Sequence, residues 1–179
     1  MIPISTFFVG IHSIFGFALS SIVATERAKN RVWHGSSSND CKYQPNHSLQ
    51  NNPSWWQRLI ESWTKFTYPT ATQYHNPELL QRKIRAHSNF AEYTPQALLM
   101  LICLEFLLSQ KDGIAATSST STSIVWSLGI LFTIARFAHA YGVILTYGPS
   151  IGRAVGYFGT LIVFLVGGIA CIHLSLKNM

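Results

Sequence analysis

Long stretches of this 179-residue chain carry no charge at all. Residues 1–25, 113–135 and 154–176 contain no Asp, Glu, Lys or Arg, and residues 86–110 contain only Glu92 and Glu105. A helix needs about 20 mostly apolar residues to cross a bilayer. Inside hydrocarbon, only a helix or a closed barrel satisfies its own backbone. Four such stretches predict an all-α fold, a four-helix transmembrane bundle. The competing arrangement needs four long helices, apolar all round, inside one small soluble core. For the first stretch a cleaved signal peptide is the other reading. It lacks a basic leading segment and is long for the apolar part of a signal, which favours a retained span.

The net charge of +6 is unevenly spread. Nine of the thirteen Lys and Arg lie between Arg27 and Arg85, and the others are Lys111, Arg136, Arg153 and Lys177. Concentration in one inter-helix segment is the mark of a cytosolic loop. Nucleic-acid binding would favour basic residues repeated along one element, and none is seen. With the 26–85 loop cytosolic, both termini lie on the other side, as does the Ser/Thr-rich "SQKDGIAATSSTSTS". Asn46-His47-Ser48 fits the glycosylation sequon but falls on the cytosolic side in this topology. The three cysteines, Cys41, Cys103 and Cys171, form no CxxC and no His/Cys cluster, so they read as free thiols and no metal site is expected.

The spans are expected at about 2–25, from 86–90 onward, at 123–144 and at 153–176. The chain reads as one membrane domain, 1–179, with a polar and aromatic insert at about 35–76. Within the insert, "WWQRLIESWTKF" spaces Trp55, Trp56, Leu59, Ile60, Trp63 and Phe66 as on one helical face. Such a helix lies in the headgroup region or packs on the protein body. Asn76, Pro77 and Glu78 make a helix start, so the second long helix begins outside the bilayer, and Pro95 lies inside it.

Ionisable residues within the spans are expensive and are functional candidates by default. Arg85, Asn89 and Glu92 stand at i, i+4, i+7, which is one helical face. Arg136 and His139 are three apart near the end of the third span, and Arg153 and Tyr157 are four apart at the start of the fourth. In an up-and-down bundle all three groups reach the cytosolic end, and only Glu105 lies at the other. Two or three guanidinium groups make an anion site, because each binds a carboxylate bidentately. Glu92 would recognise an ammonium or amide donor, so such a pocket suits a small zwitterionic peptide. From the residues alone a second reading stays open: Arg85 snorkels, Arg136 pairs with Glu92 to hold helices, His139 bonds between helices, and Tyr157 belongs to an aromatic belt.

"RKIRAHSNFAEYTP", "ARFAHAYG" and "GRAVGYFG" together resemble the MAPEG family, the membrane-associated proteins of eicosanoid and glutathione metabolism. The likeness covers roughly residues 1–34 and 76–178 and is nearest the bacterial-type branch. It implies a homotrimer of four-helix protomers with glutathione held between neighbours near the cytosolic face. By position, Arg85, Asn89, Glu92, Tyr93, His139 and Tyr157 match glutathione-binding residues, with a basic residue after the first span that is Arg27 or Arg31. Arg153 matches the arginine that stabilises the glutathione thiolate, the implied catalytic residue. The implied function is a glutathione-dependent transferase or peroxidase acting on a lipophilic second substrate from the membrane lipid. The alternative is a non-catalytic scaffold or partner-binding protein of the same fold. Ser88 in place of an arginine found in some eicosanoid-forming members, and the insert, argue against a leukotriene or prostaglandin substrate. For a eukaryotic chain, the family implies the endoplasmic reticulum or the mitochondrial outer membrane.

Overall fold

The computed structural model describes residues 2–30, 55, 58, 62, 77–111, 119–146 and 148–177. They contain four long helices: α1 (Pro3–Asn30), α2 (Pro77–Lys111), α3 (Ser119–Leu145) and α4 (Ile151–Lys177). Each contains a segment long and apolar enough to cross a membrane. The chain is an all-α, multi-pass integral membrane protein. As expected, α2 begins at Pro77, carries Glu78 in its first turn and contains Pro95. Its 35 residues extend about 52 Å at ~1.5 Å per residue, against a hydrocarbon core of ~30 Å. Part of it therefore lies outside the hydrocarbon. α1 runs past its expected end at Thr25 because the following Glu26, Arg27, Ala28 and Lys29 are good helix formers. Trp55, Arg58 and Ser62 are helical and exposed; the rest of the insert, and so most of the expected amphipathic helix, lies outside the described residues.

The fold divides into two compact units, Met1–Leu19 with Arg85–Met179, and Ser20–Ile84. In the first unit, α2 turns Ala86, Phe90, Thr94, Ala97, Leu101, Leu104 and Leu108 inward. That three-and-four spacing sets which side of α2 meets the core. Phe8, Leu101, Leu104, Val125, Phe132 and Val163 fill one apolar cluster. Leu19, Ala86, Phe90, Ala140 and Val143 fill another. Helices α3 and α4 touch backbone to backbone. A side chain at Gly156 would overlap His139 Cβ, and one at Gly152 would stand 2.7 Å from the Ala138 carbonyl oxygen. Small residues permit this approach, which drives helix association where lipid removes the hydrophobic incentive.

In the second unit the Lys83 ammonium lies 2.6 Å from Glu26 Oε2. Glu26 is 1% exposed, and a buried carboxylate of this kind needs such a partner in place of water.

Glu105 answers a different need. The first amides of a helix have no intrahelical acceptor, and a bilayer supplies no water to replace one. The amide of Ile4 donates to Glu105 Oε1 at 3.1 Å and that of Ser5 to Oε2 at 2.7 Å. The carboxylate also faces the positive end of the α1 dipole. These bonds build α1 into the bundle. Removing both with Glu105→Ala should cost about 3–6 kcal/mol, at ~1.5–3 kcal/mol for each hydrogen bond to a charged group. Thermal unfolding in detergent micelles checks it: the variant melts earlier, and an unchanged midpoint would deny the cap any weight.

Candidate functional site

The site candidates on α2 fall along one edge of its buried stripe. Arg85 and Glu92 are exposed, whereas Asn89 and Tyr93 are half-buried. Arg136 reaches this edge from α3. It is 3% exposed, and its Nη1 donates to the Asn89 carbonyl at 3.4 Å. Its guanidinium carbon lies 5.4 Å from the Tyr93 ring centroid and 5.8 Å from that of Phe132. Among the described residues it makes no ion pair with Glu92. The buried cation instead meets a carbonyl dipole and two ring faces, an arrangement suited to guanidinium rather than ammonium, and its buried Nε–H has no acceptor among the described residues.

At the junction of α3 and α4, Arg153 is half-buried. Its Nη2 donates to the carbonyls of Thr146 at 2.8 Å and Val143 at 3.5 Å. The last carbonyls of a helix are orphaned and carry the negative end of the dipole, so a guanidinium there is a C-cap. The cap leaves part of the fork unspent: Arg153 Nε–H is buried and has no acceptor among the described residues. His139 is half-buried against Gly156, one turn from Arg136, and its Nδ1 also lacks a partner. Tyr157 is 54% exposed and meets the Phe158 ring edge-on at 5.4 Å.

Thus α3 carries both halves of the site, with Arg136 turned to Asn89 and Tyr93 on α2, and His139 turned to the start of α4. Among the described residues, Arg85 and Glu92 make no hydrogen bond or ion pair there, and both are exposed. Arg27 is half-buried in the other compact unit. Arg31 lies outside the described residues. Chemically, the unspent guanidinium N–H of Arg153 and the charged edge of α2 suit an anionic ligand that also carries an ammonium or amide.

The sequence reading passed over His12. It is 2% exposed between Phe90 and Phe132, with ring centroids at 5.8 and 5.1 Å. Thr133 Oγ1 donates to the Gly129 carbonyl at 2.7 Å, so at 3.2 Å it accepts from His12 Nε2–H. That fixes the tautomer with Nδ1 bare. A lone histidine in an apolar run gives no periodic signal, though its depth within the first charge-free stretch could have raised it. Glu26 was hidden in the same way, among the basic residues of "TERAKNR".

Comparison with known proteins gives one result. A family model described as the MAPEG family matches residues 5–173. No curated protein and no solved structure matches the chain.

Arg136→Lys keeps a positive charge but loses the planar fork that reaches Asn89 O and lies on Tyr93. It should cost about 1–2 kcal/mol, in the range of a desolvated cation–π contact. Thermal unfolding in micelles reads the loss, and equal midpoints would show that charge alone suffices.

Proposed function

The chain belongs to the MAPEG family, and on that premise we propose that it is an integral-membrane glutathione-dependent transferase or peroxidase acting on a lipophilic electrophile. One observation carries the reading: Arg153 caps α3 and still holds a buried N–H with no acceptor. A free thiol has a pKa of about 8.5, so little thiolate exists at neutral pH. A guanidinium beside the sulfur stabilises the thiolate. The thiol proton passes to solvent, and the sulfur then attacks an electrophile delivered from the bilayer. Reduction of a peroxide begins with the same nucleophilic step.

In this reading Arg85, Asn89, Glu92 and Tyr93 hold the glutathione backbone, with Glu92 on its ammonium. His139 and Tyr157 line the sulfur end, and Arg27 or Arg31 adds a cation. The ligand lies between protomers of a homotrimer, an arrangement consistent with the exposure of Arg85 and Glu92 in the single chain. The whole of 1–179 is one such membrane domain with its insert at about 35–76. The 26–85 loop faces the cytosol and both termini face away; if the chain is eukaryotic, its host membrane is the endoplasmic reticulum or the mitochondrial outer membrane.

The second reading is a non-catalytic scaffold or partner-binding protein. It is favoured by the cap itself, since α3 needs Arg153 whether or not chemistry occurs.

Stopped-flow absorbance at the thiolate band separates the two. Purified protein mixed with glutathione should bind it and develop thiolate. At neutral pH, Arg153→Ala should lose at least about tenfold of that signal, one pKa unit, while keeping some affinity. Because Arg153 also caps α3, Arg153→Lys accompanies it, preserving a donor and a charge. A wild type without binding or thiolate ends the enzyme reading. Undiminished thiolate in Arg153→Ala moves the activating role to another residue.

A further inference from the structure

We propose that Gly142 and Ser150 are positioning residues for Arg153, and that the turn joining α3 to α4 is built to fix this guanidinium. The inference rests on the reading in which Arg153 activates the glutathione sulfur, and it adds two residues that never touch the ligand.

The turn holds the arginine at both ends. At its backbone, the Arg153 amide donates to Ser150 Oγ at 3.3 Å, while the Ala154 amide donates to the Ser150 carbonyl at 3.0 Å. Ser150 is therefore the N-cap of α4, with Arg153 at the third helical position. At its head, Nη2 donates to the Thr146 carbonyl at 2.8 Å. Thr146 is itself anchored: its amide and its hydroxyl both donate to the Gly142 carbonyl, at 3.3 and 2.6 Å.

Gly142 then sets the distance between the two ends. A Cβ on it would stand 2.7 Å from the Arg153 amide nitrogen, 2.9 Å from Ser150 Oγ and 3.0 Å from the Gly152 carbonyl carbon. Two of these three neighbours are backbone atoms, which cannot swing aside as a flexible side chain does. Any side chain at 142 must push the first turn of α4 away from α3. The push lands on the amide of Arg153, while its acceptors at Thr146 and Val143 stay on α3. A guanidinium that stabilises charge must sit within about 3 Å of where the charge develops, so a displacement of this kind weakens activation without removing the arginine.

Gly142→Ala and Ser150→Ala in the full-length protein, held in detergent or nanodiscs, test this. The readouts are the thiolate band of bound glutathione against pH, glutathione affinity by calorimetry, and thermal unfolding. The thiolate midpoint should rise by about one pH unit in Gly142→Ala and by about half a unit in Ser150→Ala, a partial and a lesser loss of charge stabilisation. Affinity should stay within about threefold, well under the tenfold that marks a lost contact. Ser150→Thr, which keeps the capping hydroxyl, should restore the wild-type midpoint. If Gly142→Ala does not fold, the Ser150 pair decides alone.

Midpoints equal to wild type, whatever the change in thermal stability, would make the turn structural only and overturn the proposal. So would a large loss of affinity at an unchanged midpoint, which would place these residues in the binding contact. If the wild type forms no thiolate, or Arg153→Ala titrates like it, the parent reading fails and this inference with it. That outcome is distinct, because the inference fails by itself only when wild type and Arg153→Ala differ.

Discussion

A helix end leaves backbone groups with no intrahelical partner, and this protein meets that constraint with charged side chains. Glu105 takes two amides at the start of α1. Arg153 takes the carbonyls at the end of α3. Each charge is thereby placed on the helix pole of opposite sign, where the dipole favours it. Arg136 follows the same logic in mid-helix, resting on the Asn89 carbonyl and two aromatic faces. A charged residue within a span is costly by itself, and here three of them are settled by backbone poles and π faces rather than by opposite charges.

That solution requires close backbones. Arg153 reaches the end of α3 because Gly142 and Gly152 let the two helices meet with nothing between them. Gly156 brings His139 against α4 in the same way. Packing and site geometry are therefore one property of the α3–α4 pair. A substitution that spreads the helices moves the arginine as well, so stability and activation are expected to respond together to volume at these glycines and separately to changes elsewhere on α4.

The spans were legible because length and absence of charge are read directly from composition, and Pro77 and Glu78 announced the start of α2. The face of Arg85, Asn89 and Glu92 was legible from spacing, and Tyr93 joined it only through the family resemblance. Its inner edge was not legible: Asn89 and Tyr93 turn half inward because Ala86, Phe90, Thr94 and Ala97 define the buried stripe beside them. The helix-holding pair of Arg136 with Glu92 is not formed among the described residues, since aromatic faces compete for guanidinium in a way that sequence spacing does not reveal. Glu105 stood out in the sequence without a purpose, because its partners are backbone amides a hundred positions away. His12 was missed for the related reason that its acceptor, Thr133, lies on another helix.

These contacts also change which residues carry information about activity. Arg153 by its presence alone does not separate an enzyme from a scaffold, because α3 needs the same arginine as a cap. Glu105 is explained by structure in the same sense, and so is Arg136 apart from its own buried Nε–H, which has no acceptor among the described residues. Arg85 and Glu92 are not. Both are exposed on α2, and neither has a hydrogen-bond or ion-pair partner among the described residues. Charge held there without a folding return is the feature a ligand or a neighbouring protomer has to justify. These two outward charges of α2 and the buried Nε–H of Arg153 are features that packing leaves over among the described residues.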